Sequence, residues 1–218
     1  MKPFELVIFD CDGVLVDSEI IVNRVFIGLL NELGLTVTMD DMFEEFVGRS
    51  MEYCKNLVEE KLGKKVPDEF VQRFQHESKA ALESELKAVA GIQAALDAIQ
   101  LPYCVASSGS HEKMKMTLGM TDLYSRFEGH IFSVNEVENG KPAPDVYLHA
   151  AKNMGFVPGV CAVVEDTPTG VTAGVSAGMT VFGYSALTPF HRLNDAGAHA
   201  TFDSMSLLPD LLKSGVLH

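Results

Sequence analysis

Residues Phe4–Glu19 read FELVIFDCDGVLVDSE. An apolar run from Phe4 to Phe9 ends in two aspartates one residue apart, Asp10 and Asp12, and Gly13 follows at once. The run is too short for a helix, and a turn residue closes it. It therefore reads as a buried strand, Leu6–Phe9, that delivers two mutually repelling carboxylates to its carboxyl end.

Four further runs have the same character: Tyr103–Ala106, Cys161–Val164, Thr180–Phe182 and, more weakly, His130–Ser133. Helical patterns lie between them, at Gly91–Ala98, Glu112–Leu118, Asp145–Met154 and Thr169–Ala177. Alternation of this kind predicts an α/β fold, a Rossmann-like doubly wound parallel sheet with helices on both faces. One segment breaks the rhythm. Between Ser18 and about Val89 only helical patterns occur: Ile20–Leu33, Asp40–Phe46, Met51–Leu62 and Asp68–Leu86. Connections between a strand and a helix usually take ~2–6 residues, so this stretch predicts an inserted helical cap domain. The expected division is a core of residues 1–16 and 90–218 and a cap of residues 17–89, poised to act as a lid.

Ligands of open α/β sheets bind beyond the carboxyl ends of the strands. The later strand ends carry chemistry that complements Asp10 and Asp12. Ser107, Ser108 and Gly109 follow one strand and offer hydroxyls and backbone donors ahead of a helix, an arrangement suited to an anion. Lys141 is held between Gly140 and two prolines, Pro142 and Pro144. Glu165 and Asp166 end another strand and lead into Thr167, Pro168 and Gly170. Two carboxylates ~4 Å apart at an effective dielectric of ~20 repel by about 4 kcal/mol. A divalent cation offsets this, and oxygen-only donors favour magnesium over zinc. Magnesium, a lysine and hydroxyls together make a clamp for a phosphoryl group.

FDCDG (Phe9–Gly13), VASSG (Val105–Gly109), GKPAPD (Gly140–Asp145) and VVEDTPTG (Val163–Gly170), in this order, resemble the four motifs of the haloacid dehalogenase superfamily. The likeness spans the chain, because the helical insertion falls where that family carries a cap. The VDSE of the opening, SSGSHEKMK and SELKAVAG bring it nearer to the β-phosphoglucomutase-like phosphatases. The resemblance implies that Asp10 is a nucleophile forming an aspartyl-phosphate. It implies that Asp12 is first general acid and then general base. It implies magnesium held by the Asp10 side chain, the Asp12 carbonyl and Asp166, with Glu165 either a ligand or an orienter of bound water. Ser107, Ser108 and Lys141 would bind phosphoryl oxygens. The expected activity is hydrolysis of a small phosphorylated metabolite, a sugar phosphate or sugar-acid phosphate such as 6-phosphogluconate. Arg49, in the break Val47-Gly48-Arg49-Ser50, is expected to face the non-phosphate end of the substrate, with Lys79 a weaker candidate of the same kind.

One position departs from the family. The mutases of this group carry a histidine on the first cap helix where Val22 stands here, which favours hydrolysis over mutase chemistry. Thr167 in place of the usual serine is conservative. Two alternatives stand beside the phosphatase: a phosphomutase, and a non-catalytic phospho-acceptor domain. Against the second, Asp12 supplies a base for turnover and the insertion would cover the site.

The bulk properties exclude other classes. The 218 residues carry 17 basic and 30 acidic side chains, a net charge of −13, which lacks the basic face that a nucleic-acid binder needs. An acidic chain has no attraction for anionic membranes, no apolar run approaches the ~20 residues of a membrane span, and no signal peptide is expected. Cys11, Cys54, Cys104 and Cys161 form no metal-binding or disulfide spacing, so reduced thiols and a cytoplasmic location are expected. Cys11 is flanked by two acids that disfavour a thiolate, so it reads as core. Nothing in the apolar content demands an interface, and a monomer or weak homodimer is expected.

Overall fold

The structure is a computed structural model and describes residues 3–47, 49 and 51–214. Its sheet has six parallel strands: β1 (Leu6–Phe9), β2 (Tyr103–Ser107), β3 (Ile131–Ser133), β4 (Cys161–Glu165), β5 (Thr180–Tyr184) and β6 (Ala200–Phe202). Their order is β3-β2-β1-β4-β5-β6, the doubly wound arrangement. β1 is central and all four of its residues are fully buried. That is why its sequence is a continuous apolar run and does not alternate. The order reverses between β1 and β4, so the crevice where such sheets bind ligands opens beyond Asp10 and Glu165. The register fixes this neighbourhood. Phe9 lies beside Val164, and the Asp10 amide donates to the Val164 carbonyl at 2.9 Å.

The chain divides into two compact units, Met1–Asp17 with Lys87–His218, and Ser18–Leu86. The joints thus fall at Asp17/Ser18 and Leu86/Lys87, where sequence placed them at residues 16/17 and 89/90. The smaller unit contains α1 (Glu19–Glu32), α2 (Met39–Asp41), α3 (Met51–Leu62) and α4 (Phe70–Glu85). The expected helix at Asp40–Phe46 is a short α-turn running into a π-helical turn, Met42–Phe46. Thr38 and Asp41 start it with reciprocal side-chain-to-backbone bonds. The core of this unit gathers around Phe26, whose ring meets Phe46, Phe70 and Phe74 edge-on at 5.0–5.6 Å between centroids.

In the larger unit follow α5 (Ile92–Ala98), α6 (His111–Met120), α7 (Tyr124–Phe127), α8 (Asp145–Met154), α9 (Pro168–Ser176), α10 (Phe190–Asp195) and α11 (Leu208–Ser214). On one face of the sheet, Leu6, Ile8 and Val163 pack with Val146, Tyr147 and Val171 from α8 and α9. On the other, the Phe9 ring meets those of Tyr103 and Phe127. Sequence did not anticipate β6, α7, α10 or α11. β6 has three residues on a sheet edge, and its neighbours are too short for a period to develop. Among the described residues no helix is long and apolar enough to cross a membrane.

Candidate active site

The site is built at the carboxyl ends of β1, β2 and β4 and on the loop before α8. β2 and β4 run one residue past their apolar stretches, so Ser107 and Glu165 are themselves the last strand residues. Asp10 follows β1 directly and is buried. The loop after it is tight: the Leu15 amide donates to the Cys11 carbonyl at 2.9 Å and the Gly13 amide to the Val16 carbonyl at 2.8 Å. Gly13 has φ +80°, and a Cβ there would overlap the Asp166 carboxylate. A glycine is therefore required on both counts, and the fourth motif lies hard against the first.

Lys141 is the hub. Its side chain is 5% exposed. Its ammonium donates to Asp10 Oδ1 at 2.5 Å, to Glu165 Oε1 at 2.7 Å and to the Ala106 carbonyl at 3.2 Å. It also sits 4.8 Å from the centre of the Tyr147 ring. All three of its N–H groups are thus used. Burial works to lower its pKa, but Asp10 and Glu165 outweigh burial and hold it well above its usual value. The two acids respond differently. Burial pushes Asp10 up to about 7, against the pull of Lys141. Burial also acts on Glu165, yet Lys141 foremost keeps it below its usual value. Of the two, Glu165 is held as the carboxylate.

Glu165 is fully committed. Oε1 accepts from Lys141 and from the Tyr147 hydroxyl at 2.9 Å, and Oε2 accepts from the Thr167 amide and hydroxyl, both at 2.9 Å. Thr167 has a second task, since its hydroxyl accepts from the Gly170 amide at 3.1 Å and caps α9. A Cβ on Gly170 would overlap the Glu165 carboxyl group. With four hydrogen bonds fixing that group, overpacking costs about 1–3 kcal/mol. Gly170→Ala is therefore expected to lower Tm by roughly 3–10 °C in a thermal melt, and an unchanged melt would show that the carboxyl group can yield.

Ser107 is buried, and its hydroxyl accepts from the Gly109 amide at 3.0 Å. Ser108 is exposed, and the residue that caps α6 is Ser110. The Asp12 carboxylate, 17% exposed, meets a group that sequence did not single out. Lys113 Nζ on α6 stands 2.7 Å from Asp12 Oδ2. Tyr147 was also missed. Both lie in helical patterns where nothing marks one side chain among its neighbours. Burial first, then Asp12 and Asp10, push the Cys11 thiol well above its usual pKa, in keeping with core filling.

Arg49 belongs to the other unit. Its guanidinium lies 5.2 Å from the centre of the Tyr53 ring, and it lines a cavity of about 150 Å³ with Glu19, Asn23 and Phe46. Its neighbours at positions 48 and 50 lie outside the described residues. Lys79 is exposed and stands 3.9 Å from Glu83, one helical turn on.

Residues 7–184 match the family model of haloacid dehalogenase-like hydrolases. The chain is 35% identical over 217 residues to 6-phosphogluconate phosphatase of Escherichia coli K12, covering 98% of this chain and 97% of that one. A haloacid dehalogenase-like protein of unknown function from Agrobacterium tumefaciens superposes with a TM-score of 0.92 at 34% identity, covering 97% and 98% of the two chains. A hydrolase of the same family from Deinococcus radiodurans, solved with bound phosphate and sodium, superposes with a TM-score of 0.85 at 29% identity over 99% and 98%. By sequence, by fold and by the order of its four motifs, the chain belongs to the haloacid dehalogenase-like hydrolases.

Proposed function

We propose that the protein is a magnesium-dependent phosphatase acting on a small sugar phosphate or sugar-acid phosphate through an aspartyl-phosphate. The observation that carries this is the Lys141 ammonium bridging Asp10 and Glu165, with a second aspartate two residues beyond the first. Asp10 attacks phosphorus as the bond to the leaving oxygen breaks, and Asp12 gives that oxygen its proton. Asp12 then takes a proton from water. The water attacks the aspartyl-phosphate, and phosphate departs with Asp10 restored. Lys141, on trading one of its present acceptors for a phosphoryl oxygen, joins the Ser107 and Ser108 groups and the Cys11 and Asp12 amides in holding the phosphoryl oxygens. Glu165 and Tyr147 keep Lys141 in place.

The donor set fits a hard cation. Among the described residues no three His, Cys, Asp or Glu side chains form a ready metal-binding group. Magnesium is usually held by one or two carboxylates, with water and phosphate oxygens filling its octahedron, and Asp10, Asp166 and the Asp12 carbonyl suffice for that. When bound, the cation neutralises charge between the carboxylates and the phosphoryl group. Asp10, lifted to about 7 by burial, would gain from it the ionisation a nucleophile needs.

The name of the Escherichia coli relative nominates 6-phosphogluconate, and Arg49 would read the far end of such an anion. Val22 offers no proton-transfer group at the position where mutases carry a histidine, which supports hydrolysis. The test is phosphate release from 6-phosphogluconate, glucose 6-phosphate and β-glucose 1-phosphate, with magnesium and with chelator. Release that stops on chelation is expected, with 6-phosphogluconate giving the highest kcat/KM. Isomerisation of β-glucose 1-phosphate without release would make the protein a mutase. A stable phosphoryl group on Asp10 without turnover would make it a phospho-acceptor.

A further inference from the structure

We infer that Lys113 is a positioning residue for Asp12, fixing through one oxygen the carboxylate that moves the proton in both half-reactions. This rests on the assignment of Asp12 as acid and base. Lys113 is the third residue of α6, and its amide donates to the capping Ser110 hydroxyl at 3.2 Å. Its stem runs along the second-motif loop: a Cβ built on Gly109 would lie 3.4 Å from Lys113 Cδ, 3.5 Å from Ser107 Oγ and 3.8 Å from Asp12 Oδ2. The Ser133 hydroxyl on β3 ties the same loop down by donating to the Gly109 carbonyl at 2.7 Å. A braced lysine thus reaches 101 positions back along the sequence to hold Asp12 Oδ2 at 2.7 Å.

The contact is placed for orientation and adds little to stability. The lysine side chain is 39% exposed against 17% for Asp12, and solvent screening at the lysine end keeps the pair's contribution to folding small. Asp12 sits on the loop after β1, two positions beyond the proposed nucleophile. A carboxylate there that turned away would leave the leaving oxygen without its proton and the water without its base. Pinned at Oδ2, it presents Oδ1 in one orientation, and misplacement by about 1 Å is enough to cost on the order of 10²-fold in rate.

The test compares wild type, Lys113→Met and Lys113→Arg in the full chain with saturating magnesium. Two phosphoesters are used. Glucose 6-phosphate has an alkoxide leaving group that needs the acid, whereas p-nitrophenyl phosphate has one that leaves without it. Lys113→Met is expected to lower kcat for glucose 6-phosphate roughly 10–100-fold with KM little changed. On p-nitrophenyl phosphate its first turnover should keep the wild-type rate and appear as a burst of one equivalent, because only hydrolysis of the aspartyl-phosphate is slowed. Lys113→Arg should restore most of the rate, and Tm should stay within about 2 °C for both variants. An unchanged kcat, or a first turnover slowed equally on both esters, would overturn the positioning role, the second outcome marking a phosphoryl-binding lysine instead. Asp12→Asn in the same assay separates the two levels. If it turns over glucose 6-phosphate at the wild-type rate, the acid–base assignment itself falls. If it is crippled while Lys113→Met is not, only the inference about Lys113 falls.

Discussion

Asp10→Asn is expected to release no measurable phosphate from any ester that wild type hydrolyses, a loss on the order of 10⁴-fold or more. The amide removes the attacking oxygen's charge and changes little else, because the side chain is the same size and remains at the end of β1. Its effect on stability should run the other way. The folded Asp10 carboxyl is lifted from 3.8 to about 7, chiefly by burial. An acid whose pKa is raised on folding loses stability as pH climbs through that interval, because the unfolded chain ionises first. Asparagine has no such loss, and Lys141 keeps Glu165 and the Ala106 carbonyl as acceptors. The chelated variant should therefore melt no lower than chelated wild type at pH 8. A variant that is dead and equally stable identifies a functional carboxylate that the fold does not need. Residual turnover at a tenth of wild type would remove Asp10 as the nucleophile.

Much of this site was legible in sequence because strand ends are. An apolar run that stops at Asp10, another that stops at Ser107 and a third that stops at Glu165 announce both the sheet and the edge where ligands bind. Gly140 and the prolines around Lys141 mark a stiff loop carrying one cation. What sequence could not supply is which contacts close. Nothing in a local pattern says that Lys113, and no other lysine of α6, reaches Asp12, since that contact depends on how β2 lies beside β1. Nor does a pair of acids after a strand say which of them the neighbouring cation takes. The fold decides it: Glu165 receives four donors, from Lys141, Tyr147 and Thr167. The same limit explains β6, which is three residues long and takes its identity from pairing with β5.

Lys141→Met is the second large effect, and it should strike fold and rate together. Methionine fills the space of the stem but leaves Asp10 and Glu165 buried beside each other without their shared cation. Breaking a buried ion pair from one side costs about 3–5 kcal/mol, which for a chain of this size is a fall in Tm of about 10 °C or more in the chelated protein. Loss of a phosphoryl-binding cation should lower kcat/KM by a further 10²–10³-fold, roughly the worth of one preorganised donor. The pH dependence carries a sign. Without the ammonium, Asp10 loses the charge that pulls against burial and Glu165 loses the group that foremost keeps it low, so both folded pKa values move up. The destabilisation should then be largest near pH 8 and shrink as the pH falls toward 5, where the folded state takes up protons. The decisive comparison is the double variant. If the cost arises from uncompensated charge, Asp10→Asn in the Lys141→Met background should recover several degrees of Tm while restoring no activity. If the double variant melts as low as the single one, the lysine stabilises the core through its packing on Tyr147, and its charge is reserved for the phosphoryl group.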